Sequence, residues 1–90
     1  MNMKKTIVIL AVEDTLDKMG RPVLEQVYKE LYSKYGCHLD DCYENPEYLR
    51  NILKNMFGNS YQLILESIEK NLEEHSSFKP IENFLAKMRV

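Results

Sequence analysis

Cys37, His38, Asp41 and Cys42 bring two thiols, an imidazole and a carboxylate into one short stretch between Gly36 and Asn45-Pro46. These are the groups that ligate zinc. Cys-x4-Cys is an admissible but uncommon spacing for a zinc knuckle. A closed site needs four ligands, and the other histidine of the chain, His75, lies far along the sequence. Cysteine is also commonly a small core hydrophobe. No metal is therefore expected, and Cys37, His38 and Cys42 are the residues that would supply a site if one formed. A nucleophilic cysteine would need a histidine within hydrogen-bond reach and a lowered pKa. Adjacency in sequence does not place the His38 ring at a sulfur, and Asp40, Asp41 and Glu44 would raise a nearby thiol pKa. The same acids lack the alternating ligands, central glycine and terminal glutamate of an EF-hand loop. The expectation is a short acidic connector with a solvent-facing histidine, in which Asp40 or Asp41 stabilises a turn.

Tyr28, Tyr32 and Tyr35 recur at helical spacing and could line an aromatic pocket. Such stripes are more often core with wet hydroxyl tips, and Tyr32 falls at the rim of the apolar arc. No catalytic signature is complete, so a non-enzymatic protein without a cofactor is expected.

The elements that position these residues follow from period and punctuation. Helices are predicted over about 3–19, 22–35, 46–57, 60–75 and 80–89, in one domain spanning 1–90. Gly20 and Gly36 bracket the second helix, and Pro22 opens it. Val23, Leu24, Val27, Tyr28, Leu31, Tyr32 and Tyr35 make its apolar half. Asn45-Pro46 reads as N-cap and first turn of the third helix, Gly58 as its end. In the fourth, Tyr61, Ile64, Leu65, Ile68 and Leu72 share a face while Leu63 points nearly the opposite way. Pro80 begins the fifth, with Ile81, Phe84, Leu85 and Met88 as its stripe.

The first segment is ambiguous. Val8, Ile9, Val12, Leu16 and Met19 share a face, but Met3, Ile7 and Leu10 lie opposite, and Thr6-Ile7-Val8-Ile9 is rich in β-branched residues that favour strands. No second strand is visible to pair with residues 3–9, and a lone strand leaves its backbone unmatched. Helix is therefore expected, with its second apolar face covered by another chain.

Composition narrows the function further. Net charge is −2, with 29% charged and 44% hydrophobic residues. That is ordinary for a folded domain, and no segment is basic enough for a nucleic-acid footprint. Lys4-Lys5 and Thr6–Val12 imitate a signal peptide, but the apolar run is too short and meets Glu13-Asp14. No span reaches membrane length, and two cysteines without a complete signal suggest a reduced, cytoplasmic setting.

Glu13-Asp14-Thr15-Leu16, Gly20-x-Pro22, Tyr35-Gly36, Asn45-Pro46-Glu47-x-Leu49 and Phe57-Gly58 together resemble an archaeal family, the Nitrosopumilus output domain type. The resemblance covers about Val12 to Leu85 and rests on helix punctuation. It implies a small α-helical output or partner-binding module of signalling and regulatory proteins. No catalytic residue and no Cys37/Cys42 motif carries over from it.

The reading is thus an all-α bundle acting as a regulatory or protein-interaction module. It would dock or self-associate through Ile7 and Leu10, with Leu63 as a second contact. A sensor of a small molecule or metal around residues 37–44 is the alternative. A helix-turn-helix-like DNA binder, with Arg50 and Lys54 toward phosphates and Arg21 outlying, is a third, and the acidic charge balance argues against it.

Overall fold

A computed structural model describes residues 2–90. Five helices follow in order: α1 (Met3–Met19), α2 (Arg21–Tyr35), α3 (Pro46–Phe57), α4 (Tyr61–Asn71) and α5 (Lys79–Met88). Single 3-10 turns occupy Leu39–Cys42, Gly58–Ser60 and Glu73–His75. Among the described residues there is no strand, and the fold is all-α. The radius of gyration is 12.0 Å, close to the roughly 12 Å expected of one compact domain this long.

Residues 3–9 are helical, beginning at Asn2, whose side chain accepts a hydrogen bond from Lys5 N at 3.1 Å. The strand propensity of Thr6–Ile9 is overridden because one face of α1 is packed into the core. Val8, Val12 and Leu16, four residues apart, are fully buried, and Ile9, Ala11 and Thr15 are buried beside them. α1 touches α2, α4, α5 and the 39–42 turn. A helix with neighbours on several sides needs apolar residues around much of its circumference. Ile7 belongs to this packing. It is half-buried against the core rather than presented outward as expected.

Three further expectations are corrected. The 37–44 connector is not simply solvated: Cys37, Leu39 and Cys42 enter the same core as Leu49 and Leu53. Asp41 holds the turn by accepting from His38 N at 2.9 Å. Asn45 does not cap α3 with its side chain; its Nδ2 donates back to Asp41 O at 3.1 Å. α4 also ends at Asn71, not His75. The Leu72 N–H is shared between Ile68 O and Glu69 O at 3.1 Å each, a bifurcated bond that tightens the last turn. The apolar period survives the change, because Leu72 stays fully buried.

The end of α5 is tied down by side chains from two other helices. Its last carbonyls have no partners within the helix. Arg50 Nη1 donates to Lys87 O at 3.1 Å, and the Tyr61 hydroxyl to Met88 O at 2.6 Å. Lys54 Nζ donates to Val90 O at 2.6 Å, just past the helix. Arg89 pairs with Glu69. Cations at a helix C-terminus also meet the negative end of its dipole.

Gly36 sits at φ 61°, ψ 30° and Gly58 at φ 53°, ψ −122°. A Cβ at either would meet nothing within 4 Å, so the cost of substitution is conformational. The first region tolerates Asn, whereas the second is essentially closed to side chains. Gly36→Asn should therefore cost under about 1 kcal/mol and Gly58→Ala about 1–3 kcal/mol. Urea denaturation of the two variants reads the difference, and equal losses would contradict this assignment.

Candidate functional site

α1 divides the exposed surface into two concave flanks. On one side its C-terminal half and α4 enclose a groove of about 700 Å³ lined by Thr15, Lys18, Met19, Leu63, Ile64 and Asn71, with Ser67, Lys70 and Glu73. Leu63 is 66% exposed and Met19 44%. Leu63 points outward as expected, because Tyr61, Ile64, Leu65 and Ile68 occupy the inner face of α4. Met19 was expected on the core face of α1, but it lies at the last position of the helix and emerges.

The floor of this groove is polar and satisfied. Thr15 is the buried polar residue of the core. Its hydroxyl donates to Ala11 O at 2.9 Å and accepts from Asn71 Nδ2 at 2.7 Å. Lys18 pairs with Asp14 at 3.1 Å on the rim. None of Thr15, Asn71 or Met19 was marked as a site residue by the sequence. The one available signal was a threonine on an otherwise apolar helical face.

On the other flank, Leu10 is 59% exposed. It borders shallow clefts with Glu13, Tyr28, Arg21 and Asp40. The lining residues of these clefts and of the Leu63 groove do not overlap. Leu10 and Leu63 therefore mark separate surfaces, and Ile7 joins neither.

The tyrosine stripe does not converge on a pocket. Tyr28 is half-buried and donates to Glu13 Oε2 at 2.6 Å. Burial first, then this hydrogen bond and the Glu13 charge, push its pKa up to about 12. Tyr35 stacks on Tyr48, centroids 4.2 Å apart, and accepts from Asn51 Nδ2 at 3.1 Å. Tyr32 is exposed, with the His38 ring 6.1 Å away and tilted.

The two cysteines are free and buried. Burial, followed by the charges of Cys37 and Asp41, pushes the Cys42 thiol up to about 12; Cys37 is also raised, by burial and Asp41. His38 stays exposed, and His75 stacks on Phe78 instead of approaching the thiols. Among the described residues, no group of three or more His, Cys, Asp or Glu side chains is arranged to hold a metal ion. The cations of the DNA reading are engaged within the chain. Arg50 and Lys54 serve the end of α5, and Arg21 pairs with Asp17 at 3.3 Å.

Two predictions follow from these contacts. Thr15→Val keeps the side-chain shape but removes the nearest acceptor of the Asn71 amide, leaving Asp14 Oδ2 at 3.4 Å and Ala11 O at 3.5 Å. It should cost about 1 kcal/mol and loosen α4 against α1, read as faster amide exchange around Asn71; unchanged stability and exchange would show that the pair does not link the helices. Tyr61, like Tyr28, is raised to about 12, chiefly by burial. An unfolded tyrosine titrates near pH 10, so the folded state holds the protons more tightly. That stability is complete below pH 10 and is lost as the pH rises toward about 12. The thermal midpoint should fall across this window, less steeply in Tyr28→Phe; identical slopes would remove Tyr28 from the account.

No family profile, curated protein or solved structure matches the chain.

Proposed function

We propose that the chain is a non-enzymatic protein-interaction module that seats an amphipathic partner helix in the groove between α1 and α4. The observation that carries this reading is Leu63, two-thirds exposed and next to exposed Met19 over a concave floor. An amphipathic helix laid in a groove buries its apolar stripe against such residues. Lys18, Lys70 and Glu73 supply charges of both signs around the apolar contact, the polar rim usual for transient interfaces. The floor polar groups already have partners within the chain, so a docking helix would not leave them unpaired. The likeness of the helix punctuation to archaeal output domains supports a regulatory role for that docking.

Leu10 supports self-association through α1 as a second use of the same helix. It is an exposed aliphatic side chain on α1, on the flank away from Leu63. Solution mass measurement at high concentration tests it: a dimer that Leu10→Asp dissociates is expected, and a monomer throughout would remove this use while leaving the groove reading intact.

A photoreactive residue in place of Leu63 tests the groove. Crosslinks should converge on one helical segment with apolar residues at three- and four-residue spacing. Leu63→Asp should weaken binding of that segment at least about tenfold with the helical circular dichroism unchanged, since an exposed substitution alters stability by only about 0.5 kcal/mol. Crosslinks scattered over unrelated sequences, or full binding by Leu63→Asp, would overturn the assignment.

A further inference from the structure

We infer that the flank of α1 around Leu10 and Glu13 is a docking site for a basic peptide segment, which seats an arginine between Glu13 and Asp40 and an aliphatic side chain over Leu10. The flank is concave. Three clefts of about 340 to 390 Å³ meet there, and Glu13 borders all of them. Leu10, Tyr28 and Asp40 each belong to two of the three, so the clefts form one continuous depression. Leu10 is 59% exposed. Met3, seven residues earlier and so two turns back on the same side of the helix, is 75% exposed. This stripe is the apolar part of α1 that the core does not use. Its lining residues do not overlap with those of the Leu63 groove, so the inference does not rest on that reading.

Charge complementarity selects the occupant. The cations on this flank are matched within the chain: Lys5 with Glu44 at 3.2 Å, Lys18 with Asp14 at 3.1 Å and Arg21 with Asp17 at 3.3 Å. Glu13 and Asp40 come from different elements, α1 and the 39–42 turn, yet line the same clefts. Among the described residues neither carboxylate has an ion-pair partner. Tyr28 donates to Glu13 Oε2 at 2.6 Å, which orients the carboxylate and leaves Oε1 for an incoming donor. A cleft lined by charges of one sign concentrates the opposite sign. A guanidinium carries donors along more than one edge and can serve both carboxylates, while its alkyl stem lies along Leu10 and the Tyr28 ring. A metal ion fits the place less well, because among the described residues no three His, Cys, Asp or Glu side chains are arranged to hold one. A second copy of the chain would also cover Leu10, but only a cationic occupant depends on Glu13 and Asp40.

The test selects a random linear peptide library, displayed on phage, on the whole chain, with a Leu10→Asp, Glu13→Gln double variant as counter-selection. Enriched peptides are then synthesised and measured by fluorescence anisotropy, and their contacts are mapped by amide chemical shifts. The enriched sequences should share an arginine within one helical turn of a leucine, isoleucine or methionine, and the shifts should centre on Leu10, Glu13, Tyr28 and Asp40. Glu13→Gln, which keeps an oxygen for the Tyr28 hydroxyl, and Asp40→Asn should each weaken binding about two- to fivefold. Citrulline in place of the arginine should weaken it more than either, and added salt should weaken it progressively. Leu63→Asp should leave it unchanged. An empty selection, neutral or acidic winners, shifts centred on Leu63, or affinities insensitive to salt and to both carboxylate variants would each overturn the proposal. Asp40→Asn, an exposed substitution in the turn, decides even if Glu13→Gln disturbs the fold.

Discussion

The structure depends on desolvating α1 along most of its length. Val8, Val12 and Leu16 are fully buried at four-residue intervals, and Ile9, Ala11 and Thr15 extend the buried surface to either side. Burying apolar side chains of this size is worth roughly 1.5–3 kcal/mol each, which outweighs the small preference of Ile and Val for strand. A strand would expose alternate residues to opposite faces and still need partners for its backbone. A helix satisfies its own backbone and lets α2, α4, α5 and the 39–42 turn approach from different sides. α3 packs in turn on α2, α5 and the 39–42 turn, and so closes the bundle behind the elements that cover α1.

Polar contacts then fix how the covering elements sit. They lie at the edges of the core, each linking two elements: Thr15 to Asn71 between α1 and α4, Tyr28 to Glu13 between α2 and α1, and Tyr61 to Met88 O between α4 and α5. Among the described residues no fully buried side-chain nitrogen or oxygen lacks a hydrogen-bond partner. Leaving one unpaired would cost about 1–3 kcal/mol, a large share of the stability of so small a domain. Arg50 and Lys54 show how this bears on function. As side chains on the wet half of a helix they resemble phosphate ligands; in the fold they are donors to the end of α5.

The helices were legible because their signals are local. Glycines and prolines mark the ends of α2 and α3, and the stripes of α3 and α5 match the buried residues Leu49, Ile52, Leu53 and Ile81, Phe84, Leu85, Met88. The errors fall where a contact outside the helical pattern decided the outcome. Whether Ile7 faces solvent depends on which elements surround α1. Cys37 and Cys42 read as loop thiols because their burial requires the connector to fold under α3, and no periodicity reports that in so short a segment. Asn45 looked like a cap because its type and its proline neighbour fit one, yet its amide found Asp41 O in the preceding turn. Leu63 was legible as an outlier on its helical wheel, whereas its companions Met19, Thr15 and Asn71 come from helices whose contact the sequence does not announce.

Those companions make the groove more than an exposed leucine. The Thr15–Asn71 hydrogen bond is short, at 2.7 Å, and part-buried, and it joins α1 to α4 beneath the groove. On either side of it, Leu16 and Ile68 are fully buried. The helix spacing below Leu63 is therefore set by contacts that a docking segment would not have to rearrange. A surface held in its bound geometry avoids part of the ordering cost of association, and rigid helices place a contact more accurately than loops do. Leu63 gains its interest from that support: the same exposed side chain on a mobile loop would be an unexceptional surface residue, whereas here it stands on a fixed floor beside a second exposed apolar side chain.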